Sequence, residues 1–203
     1  RVVAGIRLLQ KHGVAFNVLT TVNAANAKHP LEVYRYLRDE IGAEFIQFIP
    51  IVERTDTDSG VSHRSVTSDR WGRFLITVFD EWVRHDVGSI YVQMFDAALA
   101  DWVGVPSGIC MFSETCGDAL ALERNGDLYA CDHFVDPEHL LGNIRQTPLI
   151  ELVGSQRQRQ FGRAKRDGLP TECRECPVRF ACHGECPKNR FIDTPAGEPR
   201  LNY

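Results

Sequence analysis

The chain has 203 residues, of which 43% are apolar and 25% are charged, and its net charge is −4. This composition is ordinary for a globular protein of one large or two modest domains. Acidic and basic residues are well mixed, which gives no electrostatic argument for a nucleic-acid partner. No apolar run reaches the roughly 18 residues that a membrane span needs. Because the chain opens on Arg1 and runs directly into a helical pattern, we expect it to be part of a longer protein.

The first 95 residues alternate between helix and strand patterns. Apolar residues at helical spacing predict one helix that ends before Gly13 and a second that begins at Pro30 and ends near Ile41. A longer helix is predicted over 69–85, where it would bury Trp71, Phe74, Leu75, Val78, Phe79 and Trp82. Runs of β-branched and apolar residues predict three strands, over residues 14–22, 45–52 and 90–95.

Helices that alternate with strands predict parallel α/β units joined by right-handed crossovers. About three such units fit in this segment, too few for a closed eight-unit barrel. We therefore interpret residues 1–104 as the C-terminal part of a larger or partial (β/α) barrel. A small complete α/β domain is the alternative, but its first edge strand would be left without cover. The polar segment 53–68 predicts a mobile surface loop.

The pattern changes after residue 95, and residues 105–203 form a second predicted domain. A short helix is predicted over 97–103. Asn125-Gly126, between two short apolar stretches, is a strong hairpin signal and would place Cys131 at a strand end. Five Arg or Lys residues lie between Arg157 and Arg166, and we interpret them as a solvated helix face rather than an anion site.

All seven cysteines lie in the second domain, and four of them fall within a fourteen-residue window with glycine and proline between them. They are Cys110, Cys116, Cys131, Cys173, Cys176, Cys182 and Cys186. Thiolates so close together are typical of tight turns that direct several sulfurs to one metal centre. Disulfides are disfavoured because the chain is not a small domain and shows no secretory signal. Free thiols indicate a reducing cytoplasm.

Two kinds of metal site remain open. Zinc is often held by C-x-x-C pairs, and His183 offers a further ligand, which would make this domain an interaction module without redox activity. Two zinc sites, however, need eight ligands, and the chain offers seven cysteines and scattered histidines. Iron–sulfur clusters, which cysteine alone can bind, are therefore the favoured interpretation.

The cysteine spacing resembles a known domain. C-x9-G-x4-C from Cys116, followed by C-x2-C-x5-C-x3-C up to Cys186, resembles the SPASM domain, a twin-cluster extension of some radical S-adenosylmethionine enzymes. The Cys110 and Cys116 pair, NGDLYACDHFV from Asn125 and GECPKNRF from Gly184 resemble the anaerobic sulfatase-maturating enzymes. The stretches HPLEVY and FIQFIPIVE are similar to later barrel units of that family, so the resemblance covers nearly the whole chain.

The resemblance implies two auxiliary [4Fe–4S] clusters. The first would be held by Cys110, Cys116, Cys131 and Cys186. The second would be held by Cys173, Cys176 and Cys182, with an eighth cysteine expected just after Tyr203. The family's C-x3-C-x2-C motif, which binds a third cluster that cleaves S-adenosylmethionine, is absent from this chain. We therefore expect the chain to be the C-terminal portion of such an enzyme and to be inactive alone.

The resemblance also implies the oxidation of a Cys or Ser of a sulfatase to Cα-formylglycine. In that family a 5′-deoxyadenosyl radical removes a hydrogen from the substrate Cβ, an auxiliary cluster takes an electron and a carboxylate takes a proton. Asp132 matches the family's base, and Ile51 and Val52 lie where the family contacts the adenosine of S-adenosylmethionine. The residues alone favour a turn-capping role for Asp132, and Ile51 and Val52 could equally be core residues.

The implied partners are a sulfatase polypeptide and an electron donor such as flavodoxin or ferredoxin, without nucleic acid or membrane. Other SPASM enzymes, which modify ribosomal peptides, are the alternative within the same class. The Cys110 and Cys116 pair and the match at Asp132 favour sulfatase maturation over those enzymes.

Overall fold

A computed structural model describes residues 1–55, 60–194 and 201–203. The chain divides into two compact units, Arg1–Leu99 and Ala100–Tyr203. The helices are α1 (Val2–Lys11), α2 (Pro30–Arg35), α3 (Ser68–His85), α4 (Gln93–Trp102), α5 (Leu149–Val153), α6 (Gln156–Asp167), α7 (Thr171–Arg174) and α8 (Arg179–Cys182). The strands are β1 (Val18–Val22), β2 (Phe45–Pro50), β3 (Tyr91–Val92), β4 (Ala121–Leu122), β5 (Asp127–Tyr129), β6 (Leu140–Asn143), β7 (Arg190–Ile192) and β8 (Leu201–Asn202).

The first unit is built on a three-stranded parallel sheet in the order β1-β2-β3. Val18 lies opposite Ile46, and Phe45 lies opposite Tyr91. Helix α2 lies between β1 and β2 in the chain, and helix α3 lies between β2 and β3. The predicted parallel α/β units are therefore confirmed.

Helix α3 supplies much of the core of this unit. Phe74, Val78 and Trp82 recur every four residues and are buried, as expected for one face of a helix. The Phe48 ring meets the Phe74 ring edge to face, with 5.1 Å between the ring centroids. The Trp82 indole N–H donates a 2.7 Å hydrogen bond to the Ile90 carbonyl, so the end of α3 is tied to the entry of β3.

The remaining aromatic and apolar residues of α3 are less buried than predicted. Trp71 and Leu75 are partly buried against the core. The prediction for Phe79 was wrong, because its side chain is 40% exposed. Phe79 lies at the edge of the apolar face, where its ring still contacts Trp82 and Phe95 at centroid distances of 5.8 and 5.3 Å.

All three predicted strands were too long, the second by residues 51 and 52. The Val14 N–H donates to the Leu9 carbonyl, and Gly13 has a left-handed φ of +63°. The end of α1 therefore extends into the segment 14–22 that was predicted as the first strand. Strand β3 covers two residues only, because Gln93 already begins α4. Met, Ala and Leu in that segment favour a helix over a strand.

The other predicted elements of this unit are present. The helix from Pro30 is confirmed, although its last turn, Tyr36–Glu40, is a π-helix. Part of the predicted surface loop, residues 56–59, lies outside the described residues. Next to that gap, Arg54 forms an isolated antiparallel bridge with Val61.

The second unit contains small antiparallel sheets. Strands β4, β5 and β6 form one sheet, and β7 pairs with β8 in another. The predicted hairpin is confirmed, with Ala121 opposite Tyr129 and Gly126 in the turn at a φ of +94°. Cys131 lies two residues beyond the end of β5 rather than in the strand.

Helix α6 begins at a Ser155 cap, whose hydroxyl accepts from the Gln158 N–H at 3.1 Å. The interpretation of its basic residues as a solvated face holds for the exposed Arg157, Arg159, Arg163 and Arg166. It was wrong for Lys165, which is only 1% exposed. Within the described ranges, no helix is both long and apolar enough to cross a membrane.

Candidate metal centre

Four cysteines from distant parts of the second unit line one small cavity. We call them the first cysteine group, which consists of Cys110, Cys116, Cys131 and Cys186. Two of them lie in the segment between α4 and β4, one follows β5, and the fourth precedes a 3₁₀ turn at Pro187–Asn189. This is the set that the resemblance implies for one cluster, and the fold brings its thiols to a common space.

One face of helix α6 holds three of the loops that carry these cysteines. The Gln158 amide donates to the carbonyls of Gly117 and Ala130 at 2.7 and 3.0 Å, and these residues adjoin Cys116 and Cys131. The three positions of α6 that touch cysteine loops, 158, 162 and 165, are spaced so that they share one helix face.

Gly162 allows the closest approach to α6. Its carbonyl accepts from the Cys116 N–H at 3.0 Å. A Cβ atom at Gly162 would overlap the Cys116 carbonyl oxygen. The helix therefore needs a residue without a side chain where the Cys116 loop crosses it.

Asp132 lies beside the first cysteine group. The Cys131 Sγ and Asp132 Oδ1 atoms are 3.3 Å apart, and the Asp132 N–H donates to the Ala119 carbonyl at 2.9 Å. Asp132 is exposed, and no backbone N–H of the described residues bonds to its carboxylate. The turn-capping role that the sequence left open therefore has no hydrogen bond to support it.

His133 is a site residue that the sequence did not single out. Its Nδ1 lies 3.4 Å from the Cys186 Sγ, and its backbone N–H donates to the Cys131 Sγ at 3.4 Å. One ligand atom each from Cys131, Asp132 and His133 lie within 4.8 Å of one another. Thiolate, carboxylate and imidazole groups so placed offer a metal several kinds of donor atom.

Burial raises the pKa of three of these thiols, those of Cys116, Cys131 and Cys186. It raises the pKa of Cys131 to about 11, and a hydrogen bond from the His133 N–H only partly opposes the rise. Burial likewise raises the pKa of Cys116 and Cys186. Because metals bind thiolates, binding here would release protons and would be coupled to the charges nearby.

A second cysteine group consists of Cys173, Cys176 and Cys182. Cys173 lies in α7, Cys182 ends α8, and Cys176 lies in the turn between these helices. Burial raises the pKa of Cys173, with smaller contributions from the neighbouring Cys182 and Cys176. Cys176 also lines an open cleft of about 730 Å³ with basic side chains around it, among them Arg166, Arg174, Arg179 and His183.

The predicted S-adenosylmethionine contacts, Ile51 and Val52, lie in the first unit immediately after β2. Both are partly buried, and the Ile51 N–H donates to the Val22 carbonyl at 2.8 Å. They therefore stand at the carboxyl end of a parallel strand, where α/β folds place their ligands.

Four residues that hold the cysteine loops were not predicted from the sequence: Gln158, Gly162, Lys165 and Arg190. Each acts through a hydrogen bond or close contact to a distant backbone atom, such as the 2.8 Å bond from Lys165 Nζ to the Cys110 carbonyl. The motif CDHF marked His133 as part of the family pattern, but it gave no contact for the side chain.

Comparisons with known proteins find similar sequences and structures. A sequence model described as an iron–sulfur cluster-binding domain, SPASM, matches residues 110–177. A serine-type anaerobic sulfatase-maturating enzyme of Bacteroides thetaiotaomicron is 48% identical over 217 aligned residues, which cover 100% of this chain and 52% of that protein. A cysteine-type enzyme of the same name from Clostridium perfringens is 27% identical, over 90% of this chain and 50% of its own length.

A solved structure supports the same assignment. "Native anSMEcpe with bound AdoMet and Cp18Cys peptide" superposes with a TM-score of 0.86 at 26% sequence identity, covering 98% of this chain and 55% of that one. The chain thus has the α/β fold of radical S-adenosylmethionine proteins, together with a SPASM iron–sulfur domain.

The curated relatives indicate which group of these proteins the chain resembles. Along its whole length the chain is similar to the anaerobic sulfatase-maturating enzymes, and it spans about half the length of the curated relatives it matches.

Proposed function

We propose that this chain carries the auxiliary cluster centre of a radical S-adenosylmethionine enzyme that oxidises a serine or cysteine of a sulfatase to Cα-formylglycine. Oxidation of a side-chain alcohol to an aldehyde removes two electrons and two protons, so the site needs acceptors for both. The observation that carries the proposal is the first cysteine group, whose four cysteines line one cavity with the Asp132 carboxylate beside Cys131.

The donor set fits a [4Fe–4S] cluster, because four cysteine thiolates are the usual ligands of such a cluster. The residues that would hold the first auxiliary cluster are Cys110, Cys116, Cys131 and Cys186. The second group, Cys173, Cys176 and Cys182, would supply three ligands to a second cluster. When bound, such clusters supply acceptors for electrons that leave the substrate.

Asp132 is the proposed proton acceptor. Its carboxylate is exposed and is fixed next to Cys131 by the backbone bond to Ala119. A substrate that approaches the first cysteine group would therefore meet a carboxylate within reach of its hydroxyl or thiol proton. Proton transfer to a positioned carboxylate contributes about 10²–10⁴ in rate.

The first unit would bind S-adenosylmethionine. We assign residues 1–104 to barrel units and 105–203 to the SPASM domain, with Ile51 and Val52 as apolar contacts to the adenosine. Their place at the carboxyl end of β2 supports this role. A third [4Fe–4S] cluster and a flavodoxin or ferredoxin as electron donor complete the proposed enzyme.

The substrate is proposed to be a sulfatase polypeptide with serine at the target position. The solved relative holds a peptide described as Cp18Cys. Identity to the serine-type relatives is 48% and 36%, against 27% to a cysteine-type relative. A pair of sulfatase peptides that differ only in Ser or Cys at the target position tests this preference, and faster turnover of the cysteine peptide would contradict it.

The proton-acceptor role is tested by Asp132→Asn in the intact protein, purified without oxygen. The amide keeps the shape of the side chain but cannot take up the proton. Iron and sulfide content and 5′-deoxyadenosine release should be kept, while formylglycine formation should fall by about 100-fold or more. Glu123→Gln, which removes an exposed carboxylate from the hairpin, is the matched control and should retain full turnover.

Near-normal formylglycine formation by Asp132→Asn would remove Asp132 from the mechanism. A colourless wild-type protein that carries zinc without iron or sulfide would contradict the whole proposal and would indicate an interaction module instead.

A further inference from the structure

Three residues join the two cysteine groups. His183, Gly184 and Glu185 lie between Cys182, the last member of the second group, and Cys186 of the first group. We call these three residues the link. All three have left-handed backbone angles, with φ values of +48°, +70° and +53°. Consecutive left-handed residues other than glycine are rare and cost free energy, so the surrounding contacts must hold the link in place.

The backbone N–H groups of His183 and Glu185 bond to Arg179 and Cys182, and the side-chain contacts to the link's carbonyls come from Arg190. Its guanidinium donates to the carbonyls of His183, Gly184 and Glu185 at 3.1, 2.8 and 3.3 Å. A further hydrogen bond of 2.7 Å joins Arg190 to the Lys165 carbonyl on α6. The planar fork of arginine suits this convergence, because a lysine ammonium is a point charge without fixed donor directions. Arg190 therefore fastens the link to the helix that also holds the Cys110, Cys116 and Cys131 loops.

A second cation lies behind the first cysteine group. The Lys165 ammonium is 1% exposed and donates to the carbonyls of Cys110 and Met111, both at 2.8 Å. No carboxylate of the described residues forms an ion pair with Lys165 or Arg190.

A buried cation without a partner is costly. The anionic groups that would offset it are the thiolates of the two cysteine groups. Arg190 bonds to all three residues between Cys182 and Cys186, so one guanidinium lies beside both groups.

We propose that Arg190 and Lys165 are positioning residues for the two cysteine groups, and that their positive charge makes the clusters held there easier to reduce. The inference rests on the proposed function only in taking the cysteines as cluster ligands. Fixed charge and hydrogen bonds near the ligands are among the features that set the potential of an iron–sulfur cluster. The two cations would therefore favour the acceptance of electrons from the substrate.

The test uses the intact protein, purified anaerobically, with four single variants. Arg190→Gln removes the charge and keeps some donors, Arg190→Lys keeps the charge and loses the fork, and Lys165→Met removes the second cation. Arg163→Met is the matched control, since Arg163 is exposed on the same helix. Each protein is assayed for iron and sulfide, for its reduction potentials by paramagnetic resonance titration, and for hydrogen exchange of residues 182–186.

We expect Arg190→Gln and Lys165→Met to lower the ratio of reduced to oxidised auxiliary cluster about tenfold at a fixed potential, which is about 59 mV for one electron. Arg190→Lys should keep the wild-type potentials but exchange faster at residues 182–186. Arg163→Met should match the wild type in every measurement. A merely structural role would change iron content and exchange but would not move the potential of the clusters that remain.

Arg190→Gln or Lys165→Met with full iron content and unchanged potentials would overturn the electrostatic role. Unchanged exchange of residues 182–186 in both Arg190 variants would overturn the positioning role. If both Arg190 variants lose iron while Arg163→Met keeps it, the positioning role is upheld and Lys165→Met decides the electrostatic one. A wild-type protein without iron would instead defeat the proposed function itself, so the two failures are distinct.

Discussion

The two units of this chain are stabilised by different kinds of interaction. In the first unit the buried apolar residues form one continuous cluster around Phe74, with the sheet on one side and α3 on the other. In the second unit, buried polar side chains such as Gln158 and Lys165 bond to the backbone of cysteine loops. The described core of the first unit is apolar. In the second unit, polar side chains hold the loops that carry the cysteines.

The largest expected effect is a difference in amide exchange between the two units after iron is removed. The iron is removed from the intact protein with a chelator under anaerobic conditions. We expect amide exchange over residues 110–190 to accelerate strongly, with a loss of local stability of about 5 kcal/mol or more. Exchange in β2 and α3 should stay within about twofold, because their protection comes from apolar burial. Equal loss of protection in both units would show that the comparison is wrong.

The converse change is Phe74→Ala, which opens a cavity in the apolar cluster of the first unit. We expect a loss of about 4 kcal/mol in the free energy of unfolding of that unit, with unchanged iron and sulfide content. Phe79→Ala on the same helix is the control, and it should cost less than half as much because Phe79 is 40% exposed. Urea titration monitored by far-ultraviolet circular dichroism measures the free energy of unfolding of both variants.

A smaller change is expected at Gly162. In Gly162→Ala the new methyl group overlaps the Cys116 carbonyl oxygen, so we expect a cost of about 2–3 kcal/mol and a lower iron content. Gly72→Ala adds the same methyl to α3, where nothing lies within 4 Å. That control should raise stability by up to about 1 kcal/mol, as alanine does in a helix. Equal iron content in the two variants would refute the close-packing argument at Cys116.

The smallest expected effect depends on pH. Hydrogen bonds from Arg35 and Arg38 hold the pKa of the Glu81 carboxyl below its usual range, and its side chain is only 12% exposed. A carboxyl group with a lowered pKa in the folded state stabilises the fold at pH values above its ordinary pKa. This stabilisation is lost as the pH falls through the lower pKa of the folded state. The first unit should therefore lose about 1–2 kcal/mol from this carboxylate on acidification from pH 6 to 3. Glu81→Gln should remove that part of the pH dependence, and an unaltered profile would contradict it.

The sequence predicted what depends on local periodicity. The apolar spacing of α3 identified Phe74, Val78 and Trp82, and Asn125-Gly126 identified the hairpin. Short apolar runs were less informative, because their pattern alone does not distinguish a strand from the start of a helix, as at residues 93–95. The spacing of the cysteines indicated a metal centre, whereas the assignment of Cys186 to the distant Cys110 came from the family resemblance.

The residues that could not be predicted from the sequence are those whose roles depend on contacts between distant parts of the chain. Lys165 reaches a carbonyl 55 residues away, and Gln158 reaches carbonyls 28 and 41 residues away. A lysine in a basic helix has the same local pattern whether it faces water or a cysteine loop. Only the tertiary fold decides which of the basic residues of α6 is buried.

The short link keeps the two cysteine groups close together. Four peptide units separate the Cα atoms of Cys182 and Cys186, so a fully extended chain would keep these atoms within about 14 Å. The left-handed turn at His183–Glu185 draws them closer still. With both proposed clusters bound, this tether would hold them close together without a diffusing carrier. Inserting even one residue there would lengthen the distance between the two groups, and we expect such an insertion to slow electron transfer between them.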